Sequence, residues 1–534
     1  MLMSAAEYRE SLRRYRPVVY LDGKRVADVA GEPSLAPGVN AIGVTYDFAL
    51  RESTQALFRA RMPGIDAPVN RMLAIPHSSA DLLNKLEAVR LVCQETGCAQ
   101  RYLAGDALSA LVHGTHVIDA EEGTSYQPRV AAYLEHVYGN DLALGIAMTD
   151  AKGDRSLRPS QQRVLDAYVH IVERRADGIV ISGTKAIVTS APYVHELLVM
   201  PCRNMSEADK DFAVCCAVRV DAPGLTMVAR PAGRPGEAAA SFSGKFGQST
   251  AVCLFDRVFV SWDRVFCAGE WHHAGSIVYN YTAQHRHTCI AARAGFGDLL
   301  IGAGALVTEA NGLDLDRAHG VREAMIDLIK IVEGFYACGV ASSVYCQDGG
   351  QEDGAGVVTP DPVFANIGKL LMATQIYDMH RLAHHVSGGM IVTLPGPAED
   401  HNPATAGRLS EVLTARSDIP YEKRIEVARF LEDLTASYQA GWYSVISLHG
   451  GGSPEAMRVE IYRNYPIGNK VDLVERLLDR GVLADETRKI TRNRQPGRCC
   501  PAGCFAPDAP RMLALPRSAS STDSSLRHDE IAAD

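Results

Sequence analysis

The sequence predicts an α+β chain with a helical N-terminal domain, a central β-sandwich or barrel, and a C-terminal helical bundle. Two changes of apolar period carry this reading. From Ser4 to about Leu144 the apolar residues recur mainly at helical spacing, and from about Asp177 to Phe266 they form short runs broken by Gly, Pro and Asp. After His285 the helical period returns and persists. Strands gathered between two helical blocks point to segregated layers rather than alternating βαβ units. The expected bounds are 1–146, 147–272 and 273–491, with a disordered tail over 492–534.

The elements follow in order. Ser4-Ala-Ala-Glu7 is a capping box, and Asp22-Gly23 between VVYL and KRVADV is a hairpin signal. Ser79 is placed to cap a helix through LLNKLEAVRLV that Gly97 stops, so Cys93 falls in its last turn and Cys98 just beyond. DGIVISGTKAIVTSA, HELLVMPC, DFAVCCAVRV, GLTMVARPA and TAVCLFDRVFV supply the strands. In the bundle, Met325, Leu328, Ile329, Val332, Phe335 and Tyr336 line one helix face, with Asp327, Lys330 and Glu333 on the other. Asp361-Pro362 and Ser453-Pro454 open further helices. The tail, beginning RQPGRCCPAGCFAPDAPR, is rich in Pro, Ser and charge, with no apolar period.

Composition narrows the function. The 534 residues carry a formal charge of -9, too little field to suggest a nucleic-acid binder. No unbroken apolar run of membrane length and no signal-peptide core near Met1 are visible, so a cytoplasmic protein is expected, with its 13 cysteines reduced. There is no Walker loop, no Rossmann glycine fingerprint, no HExxH and no GxSxG elbow. Gly450-Gly451-Gly452 after His449 reads as a turn between helices. The loop AMTDAKGDRSLRPSQQ places Lys152, Asp154, Arg155 and Arg158 before the strands, either to bind a polar ligand or as a charged connection.

Several motifs in one order then carry a resemblance. MTDAKGDR with Gln161 and Gln162, DGIVISGTKAIVTSA, FDRVFVSWDRVF, HRHTCIAARAGFGDLLIGAGAL and SGGMIVTLP resemble the 4-hydroxyphenylacetate 3-hydroxylase and 4-hydroxybutyryl-CoA dehydratase superfamily over about residues 5 to 490. The resemblance implies an acyl-CoA-dehydrogenase-like fold and a flavin between β domain and bundle, with Met148, Thr149, Arg155, Thr189 and Arg293 as contacts. It also implies a homotetramer or homodimer in which Gly388 and Gly389 approach the cofactor of a neighbouring subunit.

That superfamily has two chemistries. One branch dehydrates a CoA ester with flavin and a four-iron four-sulfur cluster on three cysteines and one histidine; the other hydroxylates a phenol with reduced flavin and oxygen. On the cluster pattern Cys98 and His285 match, but Tyr102 and Ala292 stand where the other two cysteines belong. Cys289 replaces a tyrosine, Ser249 an acidic residue and Arg293 a lysine. Cys93 lies five residues before Cys98, about 140° away if the helix continued, so it is no substitute. No cluster and no resident metal are therefore expected, a mononuclear site on Cys98, His285 and Cys289 being the alternative. On the hydroxylase pattern Arg101 matches a substrate arginine, whereas Ile146 and Gly105 replace a substrate histidine and tyrosine.

The sequence thus points to the oxygenase component of a two-component monooxygenase acting on a phenolic substrate. Arg101 is expected to hold the phenolate, Tyr102 to orient it and His285 to serve as base. Reduced FAD, or FMN, comes from a separate flavin reductase, since no nicotinamide fingerprint is present. The alternative is a flavin-dependent dehydratase or isomerase of a hydroxyacyl- or enoyl-CoA ester, without a cluster.

Overall fold

The protein is described from a computed structural model over residues 1–233, 241–347 and 355–478. The expected tail, with Cys499, Cys500 and Cys504, lies outside the described residues.

Local signals open most elements where the sequence places them. Ser4 and Glu7 exchange both bonds of the capping box at the Ala5–Leu12 helix. Asp22 and Gly23 take positive φ, 48° and 77°, and turn Val18–Leu21 back on Lys24–Arg25. Asp361 and Ser453 cap Pro362–Val386 and Pro454–Asn464. One cap shifts by a residue: Ser78 caps Ser79–Thr96, because the Ser79 hydroxyl turns inward and donates to the Ser343 carbonyl.

The strands form two principal sheets. A six-stranded sheet runs Lys24–Arg25, Val18–Leu21, Leu225–Ala229, Thr250–Ser261, Gly178–Thr189, His170–Arg174, and a four-stranded sheet runs Val265–Ala268, Val214–Arg219, Glu196–Val199, Leu144–Ala147. The N-terminal hairpin thus joins the first sheet, Val18–Leu21 pairing in parallel with Leu225–Ala229. Val19, Met227, Cys253, Ile181 and Leu197 share one apolar cluster in this region.

A second cluster fills the helical part around Ala274–Ala310, which packs on Ser79–Thr96, Tyr102–Glu122, His319–Val344 and Pro362–Val386. Trp271–Ala310 is long and apolar enough to cross a membrane by length and composition, yet most of it is buried here as the bundle's central rod. Gly295 explains how closely that rod lies to its neighbour. A Cβ there would stand 2.3 Å from the Arg90 carbonyl oxygen, so only glycine admits the Ser79–Thr96 backbone.

Arg101, expected to hold a substrate, is paired inside the fold instead. Its side chain is buried and donates to the Asp141 carboxylate, and to the Asp141 and Leu142 carbonyls at 2.9 and 3.2 Å. The guanidinium lies 3.6 Å over the Tyr46 ring, which stacks on Tyr8 at 4.7 Å. Asp141 also accepts from the Met3 amide at 3.0 Å. A guanidinium cut off from water needs a carboxylate, and the fold gives Arg101 one on the side where the N-terminal helix docks. Arg101→Met should therefore lower stability by about 3–5 kcal/mol in urea titrations, while Arg101→Met with Asp141→Asn, which tolerates the φ of 48° there, should recover part of the loss. An unchanged midpoint in the single variant would refute this structural role.

Candidate active site

Gly97 decides the first half of the site. At φ 69° it ends the Ser79–Thr96 helix and reverses the chain. The helix stops at Gly97 as expected, so the divergence of a continued helix does not apply, and the Cys93 and Cys98 side chains hydrogen-bond each other. Arg293 Nη2 stands 3.3 Å from Cys98 Sγ. Burial raises the Cys98 pKa, but the Cys93 hydrogen bond and the Arg293 charge outweigh it and bring the thiol down to about 7. Burial pushes Cys93 well up instead, keeping it a neutral donor.

The second half comes from two helices. Tyr102 and Asp106 lie one turn apart on Tyr102–Glu122, and Tyr281, His285 and Cys289 rise at four-residue steps along Ala274–Ala310, so each set shares a face. Asp106 is fully buried. It accepts from Lys85 Nζ at 2.8 Å and the Thr288 hydroxyl at 2.7 Å, and stands 3.4 Å from His285 Nδ1. His285 Nε2 is 3.4 Å from Cys289 Sγ. The rings of Tyr281 and Tyr102 flank the imidazole at 5.3 and 6.3 Å.

The electrostatics follow from these contacts. Burial disfavours an imidazolium, but Cys289 and Asp106 outweigh it and lift His285 to about 9. For Cys289, burial raises the pKa and the His285 charge and hydrogen bond bring it below the ordinary thiol value. Asp106 titrates below the usual carboxylate range despite burial, owing to Lys85 and His285. Burial lowers Lys369 to about 8; its ammonium donates to the Ser447 carbonyl at 2.8 Å.

Of these groups Tyr102, Tyr281, His285, Cys289 and Arg293 line a cleft of about 680 Å³ between β domain and bundle. Of the residues expected from sequence, Tyr102, His285, Met148, Thr149, Arg155, Thr189 and Arg293 line it together. Arg101 does not, being held by Asp141. Gly388 and Gly389 do not line it either; they follow the Pro362–Val386 helix at φ 69° and 78°. The AMTDAKGDR loop divides its work. Lys152 and Arg155 face the cleft, whereas Asp154 folds back on Ser156 and Arg158 pairs with Asp209. The glycine turn forms part of the wall, its Gly451 carbonyl accepting from Arg286 Nε at 2.9 Å.

Sequence reasoning missed Asp106, Lys85 and Lys369, and weighed Cys289 only as a metal ligand. Asp106 had a visible signal, one helical turn after Tyr102; Lys85 and Lys369 had none, since their partners are distant in sequence.

The residues present fit a flavin. Hydroxyls of Thr149 and Thr189 edge one wall, Lys152 and Arg155 can match phosphate charge, and Gln100 Oε1 and Arg293 Nη1 are buried beside the cleft without a protein partner. They do not fit an iron–sulfur cluster. Tyr102 and Ala292 remove two thiolates, and Cys98 is already engaged by Cys93 and Arg293. Nor do Cys98, His285 and Cys289 converge as ligands: among the described residues the convergent group of three is Glu122, His272 and His273, on other parts of the helices.

Comparison with known proteins places the chain. Residues 4–267 match the family model described as 4-hydroxyphenylacetate 3-hydroxylase N terminal, and residues 274–479 that described as its C terminal. The 4-hydroxybutyryl-CoA dehydratase/vinylacetyl-CoA-Δ-isomerase of Clostridium aminobutyricum is 35% identical over 490 residues, 89% of this chain and 99% of that one. A solved oxygen-tolerant 4-hydroxybutyryl-CoA dehydratase from N. maritimus superposes with a TM-score of 0.86 at 33% identity, over 92% of this chain and 99% of that one. The oxygenase component of 4-hydroxyphenylacetate 3-monooxygenase, solved with FAD and 4-hydroxyphenylacetate, shares the fold at a TM-score of 0.79 and 21% identity, over 90% and 98% of the two chains. The motifs, the sheet-and-bundle architecture and these matches agree: the chain belongs to the 4-hydroxyphenylacetate 3-hydroxylase and 4-hydroxybutyryl-CoA dehydratase superfamily, with its acyl-CoA-dehydrogenase-like fold.

Proposed function

We propose that this protein is a flavin-binding enzyme that moves protons on an acyl-CoA thioester, an isomerase or dehydratase working without an iron–sulfur cluster. The observation that carries this reading is the buried chain Lys85, Asp106, His285, which ends in an imidazole on the cleft wall. A buried carboxylate orienting an imidazole is proton-transfer equipment. The arginine that would hold a phenolate is instead committed to Asp141. The 35% identity to a dehydratase/isomerase supports the same branch.

Met148, Thr149 and Thr189 would hold the flavin, with Arg155 and Arg293 supplying positive charge and donors to it. When bound, flavin supplies reversible electron transfer. Tyr102 and Tyr281 bracket His285 with neutral phenols; for Tyr102, burial and the nearby thiols Cys98 and Cys289 push its pKa well up. Gly388 and Gly389 would approach the flavin of a neighbouring subunit in a tetramer.

A second reading rests on Tyr102 and Ala292. Without cluster ligands at these positions the chain resembles the oxygenases, which would make it the oxygenase component of a two-component system, using reduced FAD from a separate reductase on a phenol.

Anaerobic incubation of FAD-loaded protein with short hydroxyacyl- and enoyl-CoA esters should yield the dehydrated or isomerised thioester by chromatography. His285→Gln should lower kcat by about 10²–10⁴-fold. Oxygen consumption with catechol formation from a phenol, and no thioester turnover, would establish the second reading instead. Iron and acid-labile sulfide in anaerobically purified protein should both be near zero; about four of each per chain would overturn the cluster-free assignment.

A further inference from the structure

We propose that Cys289 is the base of the cleft, its sulfur set against the His285 ring, and that the two work as a proton shuttle between carbons of the thioester. This rests on the acyl-CoA reading above.

The geometry singles out this sulfur. Cys289 lines the cleft and is partly exposed to it, so substrate can reach it, whereas Cys93 and Cys98 are buried behind Tyr102 and Arg293 and do not line it. Its Sγ lies 3.4 Å from His285 Nε2 and 3.8 Å from Nδ1. His285 is held from behind by Asp106, itself fixed by Lys85 and Thr288. The groups facing Cys289 come from three helices: Tyr281, His285 and Arg286 on its own, Tyr102 and Asp106 on Tyr102–Glu122, and Lys369 on Pro362–Val386. Burial and the Asp106 charge disfavour a Cys289 thiolate, but His285 and Lys369 outweigh them and depress the thiol; Cys289 and Asp106 in turn raise the imidazole against its burial. At neutral pH His285 therefore already carries its proton. It is placed to give one, and Cys289 to take one.

The step balances without an oxidant. With a β,γ-enoyl thioester in the cleft, Cys289 Sγ removes a proton from Cα, and the C–H electron pair delocalises into the thioester as a dienolate. The His285 imidazolium protonates Cγ as the double bond settles between Cα and Cβ. The neutral thiol then returns its proton to the neutral imidazole across 3.4 Å, restoring the pair.

Alkylation of the full-length protein by iodoacetamide, followed against pH by mass spectrometry of the Cys289 peptide, tests the pair without turnover. In the wild type the rate should rise at a lower pH than that of an ordinary thiol, and His285→Gln should move that rise upward and slow alkylation at pH 7. A wild-type rate that rises only through the ordinary thiol range, near pH ~8.5, overturns the proposal and needs no folded variant. In the isomerase assay Cys289→Ser should cut kcat by about 100-fold with KM little changed, and wild-type activity should fall as pH passes about 9 and the imidazolium is lost. A Cys289→Ser enzyme with wild-type kcat overturns the shuttle. A depressed alkylation profile with no turnover of any CoA ester sinks the acyl-CoA reading and leaves the ion pair standing.

Discussion

The site depends on one buried carboxylate. Asp106 is fully enclosed, and an ion so placed survives only if each of its oxygens is engaged. Lys85, on the helix beside it, answers one oxygen; Thr288 and His285, on the bundle's central rod, answer the other. Three helices are thus bound at one point, and the imidazole is held beside the cleft with one nitrogen toward Asp106 and the other toward Cys289. Removing Asp106 would unpair Lys85 and release His285 together, so the fold and the chemistry share this anchor.

Two thiols illustrate how placement divides similar chemistry. Cys98 is paired with Arg293 but sealed from the cleft, and Cys93 donates to it. Cys289 is paired with a histidine and open to the cleft. Both are pulled below the usual thiol range, yet only one can meet a substrate. Proximity to a cation tunes a sulfur; access decides whether the tuning has a use. Arg101 makes the complementary point, since a residue of suitable chemistry beside the site is turned toward Asp141 and Tyr46 and serves docking instead.

Much of the cleft was legible from sequence because the relevant residues fall in compact motifs. Tyr102, His285, Met148, Thr149, Arg155, Thr189 and Arg293 come together as expected. The misses share a cause. Lys85 and Lys369 sit in ordinary amphipathic helices, and nothing local marks them as buried; their roles exist only through Asp106 and through the Ser447 carbonyl, both on other elements. The relation of Cys93 to Cys98 was open for another reason: a helical angle holds only within a helix, and Gly97, where the sequence places the stop, ends it before Cys98.

By itself the sequence determined the alternation of helical and strand blocks, most caps and the Asp22-Gly23 turn, because each is written in neighbouring residues. The tertiary structure alone decided that the N-terminal hairpin extends the central sheet, that Arg101 faces away from the cleft, and that Cys289 faces His285 within it. Those outcomes depend on which distant charge or strand edge is within reach once the chain is packed, a matter of burial and pairing that no single segment encodes.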